Sequence, residues 1–243
     1  DIRAAVDCLE YFAGWADKLE GRTVPVREDA LTYVSREPLG VVAAIVPWNF
    51  PLMNAVWKLA PALACGCSVV LKPAELTPLS ALRLGEIFLE CGLPRGVLNI
   101  VPGYGHITGQ ALIEHPLVSK ISFTGSPGVG KHIMRTAADR AIRVGLELGG
   151  KSPAIIFADA DLEAAARAVA SGAFFNAGQV CSAATRVLVA REAHGRFVDL
   201  LTARMAKIRT GDPLAAGTSM GPVISRKQQD GILDAIEGAK RDG

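Results

Sequence analysis

From Gly40 onward, short apolar runs alternate with segments in which apolar residues recur at helical spacing. The runs are rich in Val, Ile and Leu: GVVAAIVPW, SVVLKP, VLNIVPG, SKISFTG and IRVGLELGG. Continuous apolar runs of this length are typical of strands that are buried on both faces. Five strands separated by helices predict a chain of βαβ units, and therefore a parallel sheet with helices on its faces.

The pattern changes on either side of this region. Before it, TVPVREDALTYVSREP (about residues 23–37) alternates apolar and polar positions, which predicts a two-stranded antiparallel hairpin. Such an arm often serves subunit contact, and an ordinary surface hairpin explains the pattern equally well. After Gly150 a second set of strands and helices begins, from SPAIIFA to GRFVDLLTARMAKI. This restart predicts a domain boundary near Gly149–Gly150, so that 1–149 and 150–243 form separate domains.

Composition excludes several classes of partner. The chain has 243 residues, 50% hydrophobic, and a formal net charge of +2 with no block of like charge, so neither nucleic acid nor an anionic membrane surface is expected as a partner. Its longest apolar run, LGVVAAIVPW, is about half as long as a membrane-spanning helix requires. The expected partner is a small molecule.

The five cysteines indicate a reducing compartment. Their number is odd, their spacing is irregular and no signal peptide precedes them, so we expect free thiols and a cytoplasmic location. Cys65 and Cys67 form a C-x-C pair, but no second Cys or His pair follows at a metal-ligand spacing, and no metal site is expected.

Both ends of the chain indicate a piece of a longer polypeptide. The first residue is Asp1, not Met, and IRAAVDCLEYFAGWADKLEG has the pattern of a helix from the start. SRKQQDGILDAIEGAKRDG at the other end is also helical in pattern, and no closing element follows it.

Cys181 and Glu147 are the residues with the clearest catalytic potential. Cys181 lies in FFNAGQVCSAATR and Glu147 in LELGGKSP, 34 residues earlier (181 − 147), and each stands between an apolar element and a Gly-containing turn. A thiol with a separate carboxylate is what covalent catalysis followed by activation of water requires. A single cysteine is, however, more often a small buried hydrophobic residue.

Two more motifs follow predicted strands. PWNFP holds Asn49 in a rigid turn, where a side-chain amide could stabilise an oxyanion; satisfying the backbone of the turn is the more common role. VVLKPAE places Lys72 and Glu75 where they could contact the ribose or phosphate of an adenine dinucleotide, or simply form a solvated surface pair.

FTGSPGVGK could hold phosphate at the start of a helix. Its glycines follow the order G-x-x-G-x-G, which is not the usual dinucleotide fingerprint, and an ordinary tight turn is the commoner explanation. Thr77 and Pro78 are expected to begin the helix TPLSALRLGEIFLECG. None of the four histidines lies where local sequence would pair it with Cys181, which disfavours a cysteine protease or acyltransferase.

In their order and spacing, these motifs resemble those of the aldehyde dehydrogenase superfamily, of the NAD(P)-dependent, hydrolytic type. The resemblance covers essentially all 243 residues and rests on PWNFP, LKPAE, FTGS, LELGGKSP and FFNAGQVC, with GRTVPV and SMGPVIS near the two ends. It implies an α/β fold with a Rossmann-like parallel sheet in an NAD-binding domain (1–149), a small antiparallel oligomerisation arm (about 23–37) and part of an α/β catalytic domain (150–243).

The resemblance also implies a mechanism. The thiolate of Cys181 attacks the aldehyde and forms a thiohemiacetal, whose oxyanion is held by the Asn49 side chain and the Cys181 backbone N–H. Hydride transfer to the nicotinamide leaves a thioester, and Glu147 activates the water that releases the carboxylic acid.

Cofactor contacts and assembly are implied in the same way. NAD is favoured over NADP because the Glu75 carboxylate would repel a 2′-phosphate. The full-length protein is expected to form a homodimer or homotetramer. Six residues are implied as cofactor contacts: Lys72 and Glu75 at the adenine ribose, Ser126 at the pyrophosphate, Trp48 in the pocket wall, and Gly125 and Leu148.

Several alternatives stay open at this point. A coenzyme A-acylating semialdehyde dehydrogenase would pass the thioester to a thiol, although those relatives generally lack a carboxylate where Glu147 stands. A truncated, non-catalytic family member is the other alternative, because the family's EIFGP-like motif, with a second ribose-binding carboxylate, does not occur. If these 243 residues were the entire chain, we would expect it to be inactive and poorly folded.

Five residues suggest an apolar entrance for the substrate that tolerates aromatic aldehydes: Met53, Trp57, Phe174, Phe175 and Val180.

Overall fold

Residues 1–148 and 149–243 form separate units of the chain, and a computed structural model describes all 243 residues. The elements of the first unit are, in chain order, α1 (Ile2–Ala13), β1 (Arg22–Arg27), β2 (Ala30–Val34), β3 (Val41–Ile45), α2 (Pro51–Ala64), β4 (Ser68–Lys72), α3 (Leu79–Glu90), β5 (Leu98–Ile100), a π-helical turn (Gly105–Gly109), α4 (Gln110–Glu114), β6 (Val118–Gly125), α5 (Pro127–Ala138) and β7 (Arg143–Leu148). The predicted alternation of strands and helices is confirmed.

The predicted fold class is confirmed by the pairing of these strands. The large sheet is parallel throughout, in the order β5-β4-β3-β6-β7. Separately, β1 and β2 pair antiparallel, with Thr23 opposite Tyr33, and form the predicted hairpin.

Successive residues of β3 explain why its sequence is apolar without alternation. Val42 and Ala44 face one side and pack against α2 and α3, where Leu59 and Leu84 are buried. Ala43 and Ile45 face the other side and pack in the cluster that includes residues of α4 and α5. Because helices cover both sides of the central strand, its residues from Val42 to Ile45 are all buried.

The order of the strands creates a crevice at one edge of the sheet. From β3 the chain moves outward to β4 and β5, then returns to the other side of β3 for β6 and β7. The carboxyl ends of β3 and β6 are therefore adjacent, with connections that leave in opposite directions, and ligands of open α/β sheets bind at such a point. Ile45 pairs with both Lys72 and Phe123, so the ends of β3, β4 and β6 lie at one level.

The second unit contains a short parallel pair of strands covered by helices. Its elements are β8 (Pro153–Ile156), α6 (Leu162–Phe174), a 3₁₀ turn (Phe175–Gly178), β9 (Arg186–Val189), α7 (Arg191–Met205) and α8 (Arg226–Asp242). Ile156, Val169 and Phe197 form the centre of its core. No helix of the chain has the length and apolar character that a membrane crossing requires.

One long-range contact supports the turn that carries Asn49. The carboxylate of Asp1 accepts hydrogen bonds from the backbone N–H groups of Leu52 (3.2 Å) and Met53 (2.9 Å) in the first turn of α2. Phe50, the N-cap residue of α2, makes no side-chain capping bond. Asp1 thus supplies the acceptor that an N-cap side chain would otherwise provide.

Replacement of Asp1 by alanine is expected to lower the free energy of unfolding by about 0.5–2 kcal/mol, the usual cost of losing an N-cap acceptor. Urea denaturation would measure the change. Asp1→Asn, which keeps one of the two acceptor oxygens, should lie between the parent and Asp1→Ala in stability, and Asp7→Ala on the exposed face of α1 serves as the control. An Asp1→Ala variant as stable as the parent would show that these two bonds contribute nothing.

Candidate active site

Lys72 and Glu75 form an ion pair at the carboxyl end of β4. The Lys72 side chain is 3% exposed and that of Glu75 is 47% exposed, and the Lys72 Nζ lies 3.8 Å from the Glu75 Oε2. The Nζ also donates to the backbone oxygen of Pro73 (2.9 Å). Burial lowers the pKa of Lys72, although the charge of Glu75 acts in the opposite direction. The Glu75 carboxylate is thus accessible at the edge of the sheet as a hydrogen-bond acceptor, with the buried Lys72 ammonium group behind it.

The glycine-rich segment after β6 begins α5 with a capped turn. Ser126 is the N-cap, its hydroxyl accepts from the Val129 N–H (3.4 Å), and Pro127 occupies the first turn of the helix. A β-carbon on Gly125 would overlap the ring of Phe123, so this position requires glycine. The N–H groups of the first turn lie where they could bind an anionic group.

Gly130 has a packing role that its place in the motif did not predict. A β-carbon there would lie 2.8 Å from a methyl group of Leu148, so the missing side chain lets α5 approach β7 closely. The Leu148 side chain is therefore directed at the helix. A cofactor contact by Leu148 would use its backbone.

Asn49 is half-buried in the turn between β3 and α2, beside Trp48. The turn passes directly into the helix, where the Asn54 backbone N–H donates to the Phe50 oxygen (2.9 Å) and the Asn54 side-chain amide donates to the same oxygen (3.1 Å). These two bonds hold the end of the turn, and with it the backbone that carries Asn49.

Glu147 lies one residue before the end of β7, opposite Thr124 of β6, and is exposed. The structure reveals a neighbouring cation that the sequence analysis missed. Lys58 of α2 is 8% exposed, and its Nζ donates to the Ser122 hydroxyl (3.3 Å). Burial lowers the pKa of Lys58 to about 8, and the charge of Glu147 partly offsets this effect, while Lys120 adds to it. A lysine with a pKa of about 8 thus lies within electrostatic range of Glu147.

Lys58→Met is expected to change the pH dependence of stability. Because the pKa of Lys58 is lower in the folded protein than its ordinary value of 10.5, the unfolded chain binds this proton more tightly. The cost of holding the buried charge is present below pH 8 and disappears as the pH rises towards 10.5. From pH 7.5 to 9.5 the parent should therefore gain about 2 kcal/mol relative to Lys58→Met. Urea denaturation at both pH values measures the difference, and parallel stability curves would contradict the prediction.

A cavity of about 450 Å³ in the first unit includes Lys58 in its wall. Trp57 also lines it, together with Lys120, Ser122 and Arg143. Apolar residues such as Leu39, Val42 and Pro61 form much of the rest of its wall, and Trp57 is the only residue of the predicted apolar entrance that lines it.

Cys181 lies in the second unit, between α6 and β9, and is exposed. Gly150 lies close to it: a β-carbon built on Gly150 would be 3.5 Å from the Cys181 backbone oxygen, an ordinary van der Waals contact. Cys181 follows a turn in which Asn176, Ala177 and Gly178 have φ angles of 50°, 56° and 75°. Left-handed conformations at three successive residues give this segment an unusual backbone.

The first unit therefore brings eight of the nine predicted site residues to one edge of the sheet, near the carboxyl ends of β3, β4, β6 and β7. They are Trp48, Asn49, Lys72, Glu75, Gly125, Ser126, Glu147 and Leu148. Such an edge, with an anion-binding helix start, is where an α/β protein binds a nucleotide.

The chain belongs to the aldehyde dehydrogenase family, whose sequence model matches residues 1–243. It is 51% identical to retinaldehyde dehydrogenase 3 of Mus musculus over 245 residues, covering 100% of this chain and 48% of that protein. It is 48% identical to aldehyde dehydrogenase 1A1 of Bos taurus, covering 100% of this chain and 49% of the relative.

Solved structures agree with this assignment. The NAD⁺ complex of an aldehyde dehydrogenase from Bacillus cereus superposes with a TM-score of 0.98 at 47% identity, covering 100% of this chain and 50% of that chain. A betaine aldehyde dehydrogenase from Staphylococcus aureus in complex with NAD⁺ gives a TM-score of 0.95 at 44% identity, with 99% and 49% covered. The chain thus spans about half the length of the relatives it matches.

Proposed function

We propose that the complete protein oxidises an aldehyde to the carboxylic acid with NAD, through a thioester on Cys181. The observation that carries this proposal is the set of side chains and glycines at the crevice edge of the sheet, in a chain that belongs to the aldehyde dehydrogenase family. The same chain supplies a thiol at Cys181 and a carboxylate at Glu147, the two groups that the reaction needs.

In the first step the Cys181 thiolate forms a bond to the aldehyde carbon, and the carbonyl oxygen becomes an oxyanion. The Asn49 amide and the Cys181 backbone N–H donate hydrogen bonds to it. One donor of this kind contributes on the order of 3 kcal/mol to lowering the barrier. The rigid turn before α2 supports this role, because a donor stabilises a transition state best when it does not have to reorganise.

In the last step Glu147 removes a proton from water, which attacks the thioester carbonyl and releases the acid and the thiol. The exposure of Glu147 supports this role, since the base has to reach water. Lys58 is proposed as a positioning residue: its hydrogen bond to Ser122 fixes its ammonium group between α2 and β6, from where its charge acts on Glu147. Between the two steps the thiohemiacetal carbon gives up a hydride, and accepting that hydride is the chemistry that NAD supplies when bound.

The residues at the sheet edge fit NAD. Glu75 offers two acceptor oxygens for ribose hydroxyls, Lys72 places a cation behind it, and Ser126 with the first turn of α5 can receive the pyrophosphate. Gly125, Trp48 and the Leu148 backbone would complete the pocket. The Glu75 carboxylate would repel a 2′-phosphate, which favours NAD over NADP.

Substrate, assembly and location are proposed at a coarser level. The relative named retinaldehyde dehydrogenase 3 supports an apolar aldehyde as the substrate. The hairpin β1–β2 exposes Leu31 (80%) and Tyr33 (67%), which supports a role as an oligomerisation arm in a homodimer or homotetramer.

A relative named cytosolic aldehyde dehydrogenase 1 and five free thiols support a cytoplasmic location. Residues 1–149 are proposed as the NAD-binding domain and 150–243 as part of the catalytic domain.

The test is a panel of aldehydes, from propanal to benzaldehyde and retinal, assayed with NAD and with NADP on the complete protein. We expect the carboxylic acid as product, reduction of NAD at a higher kcat/KM than NADP, and no acyl-coenzyme A when coenzyme A is added. Formation of an acyl-coenzyme A instead of the acid would assign the chain to the acylating type. No turnover of any aldehyde with either cofactor would contradict the proposal.

A further inference from the structure

The turn before Cys181 has a backbone conformation that its sequence does not favour. Asn176 and Ala177 have φ/ψ values of 50°/37° and 56°/33°, close to those of a left-handed helix. Asparagine tolerates this region, but for alanine the β-carbon approaches the following carbonyl oxygen. Such a conformation persists only where neighbouring groups hold it in place.

Gln179 supplies contacts that hold this turn. Its side-chain Nε2 donates to the Asn176 backbone oxygen (3.0 Å), and its backbone N–H donates to the same oxygen (3.1 Å). Its Oε1 accepts from the Ile224 backbone N–H (2.9 Å). One amide therefore joins the turn to a distant part of the same unit.

The segment that contains Ile224 is itself well anchored. Ser225 is the N-cap of α8, and its hydroxyl accepts from the Gln228 N–H (3.2 Å). Earlier in the segment, the Met220 N–H donates to the Arg209 oxygen (3.1 Å) and the Gly211 N–H donates to the Met220 oxygen (3.1 Å). The backbone N–H of Ile224 is therefore held in place, and its hydrogen bond to the Gln179 amide can stabilise the turn.

We infer that Gln179 is a positioning residue for the nucleophile: its amide keeps residues 176–178 left-handed and thereby presents Cys181 in its reactive orientation. The inference rests on the proposed function insofar as Cys181 is the nucleophile. Cys181 lies two residues after Gln179 in the chain. A change in the turn therefore moves the backbone N–H and the thiol of Cys181 together. Both groups are needed at once, one for attack and one for the oxyanion.

The test compares Gln179→Met, which keeps the length of the side chain and loses both hydrogen bonds, with the parent. We expect kcat to fall by about 10–100-fold, the size of effect that a displacement of about 1 Å in a reacting group produces, while KM for NAD stays unchanged. Alkylation of Cys181 by iodoacetamide, which needs neither aldehyde nor NAD, should slow in parallel. Gln228→Met on the exposed face of α8 is the matched control and should leave both rates unchanged.

Ala177→Gly distinguishes positioning from a general loss of structure. Glycine adopts the left-handed region without strain, so the single variant should keep full activity and melt about 2–4 °C higher. In combination with Gln179→Met it should restore part of the lost alkylation rate, because the turn then needs less support. Parent-like kcat and alkylation in Gln179→Met, or no restoration by Ala177→Gly, would overturn the inference.

Gln179→Glu tests the inference even if Gln179→Met does not fold. It keeps an acceptor for the Ile224 N–H and loses the donor to Asn176, so alkylation should slow by about 2–10-fold, the effect of one hydrogen bond; a rate equal to that of the parent would overturn the inference. The proposed function can fail independently. If the parent oxidises no aldehyde but Gln179→Met still slows alkylation, the function is wrong and the positioning of Cys181 stands.

Discussion

Replacement of Cys181 by serine is expected to lower kcat by about 10⁴-fold or more, with the fold and NAD affinity unchanged. A serine hydroxyl is not ionised near neutral pH, and none of the four histidines is adjacent to position 181 in sequence to remove its proton. Loss of a covalent nucleophile in other enzymes has effects of this order. Steady-state formation of reduced NAD measures the change, and titration of intrinsic fluorescence with NAD measures binding.

The matched control is Cys91→Ser. Cys91 is also an exposed thiol, at the end of α3 and outside the proposed site, so this variant should turn over like the parent. If Cys181→Ser kept substantial activity, or if Cys91→Ser lost it, Cys181 would not be the nucleophile.

Replacement of Glu147 by glutamine should have the second largest effect, and it should separate the two halves of the reaction. Thioester formation does not need the base, so one equivalent of reduced NAD should appear in a burst. Hydrolysis would then limit turnover, and kcat should fall by about 10²–10⁴-fold, the usual contribution of a general base. Rapid-mixing absorbance measurements resolve the burst from the steady state.

Glu10→Gln, on the exposed face of α1, is the control for charge and should show parent kinetics. An unchanged steady-state rate in Glu147→Gln would remove Glu147 from the mechanism. In that case an acyl-coenzyme A product on addition of coenzyme A would identify transfer to a thiol as the release step.

The sheet was predictable because apolar periodicity and burial have the same cause. β3 reads as a continuous apolar run since Val42 and Ala43 face opposite sides and both are covered by helices. The positions of Lys72 and Gly125 at strand ends follow from the same pattern, because each run stops where the chain leaves the sheet. The hairpin was visible in the alternation of apolar and polar residues over about 23–37, and β1 and β2 pair antiparallel there.

Local capping was less predictable. The expected helix start at Thr77 and Pro78 was wrong: α3 begins at Leu79, with Pro78 as the cap residue. The Thr77 backbone N–H closes a turn with the Ala74 oxygen (3.1 Å), and the Thr77 hydroxyl makes no capping bond. Cap positions depend on the preceding turn, which residue preferences alone do not determine.

Lys58 and Gln179 were missed for a different reason. Lys58 reads as an ordinary helix residue, and only the packing of α2 against β6 buries its charge near Glu147. Gln179 gains its importance from Ile224, 45 residues away. Both roles arise from long-range contacts, and a single sequence carries no periodic signal for them.

The most direct test of covalent catalysis at Cys181 is mass spectrometry of the intermediate. The complete Glu147→Gln protein would be mixed with benzaldehyde and NAD, quenched in acid and digested, and the peptide that contains Cys181 would be analysed. We predict that this peptide gains the mass of one benzoyl group, that the adduct requires NAD, and that hydroxylamine removes it as expected for a thioester. An unmodified Cys181 peptide alongside a burst of reduced NAD, or an acyl group on another residue, would contradict the account.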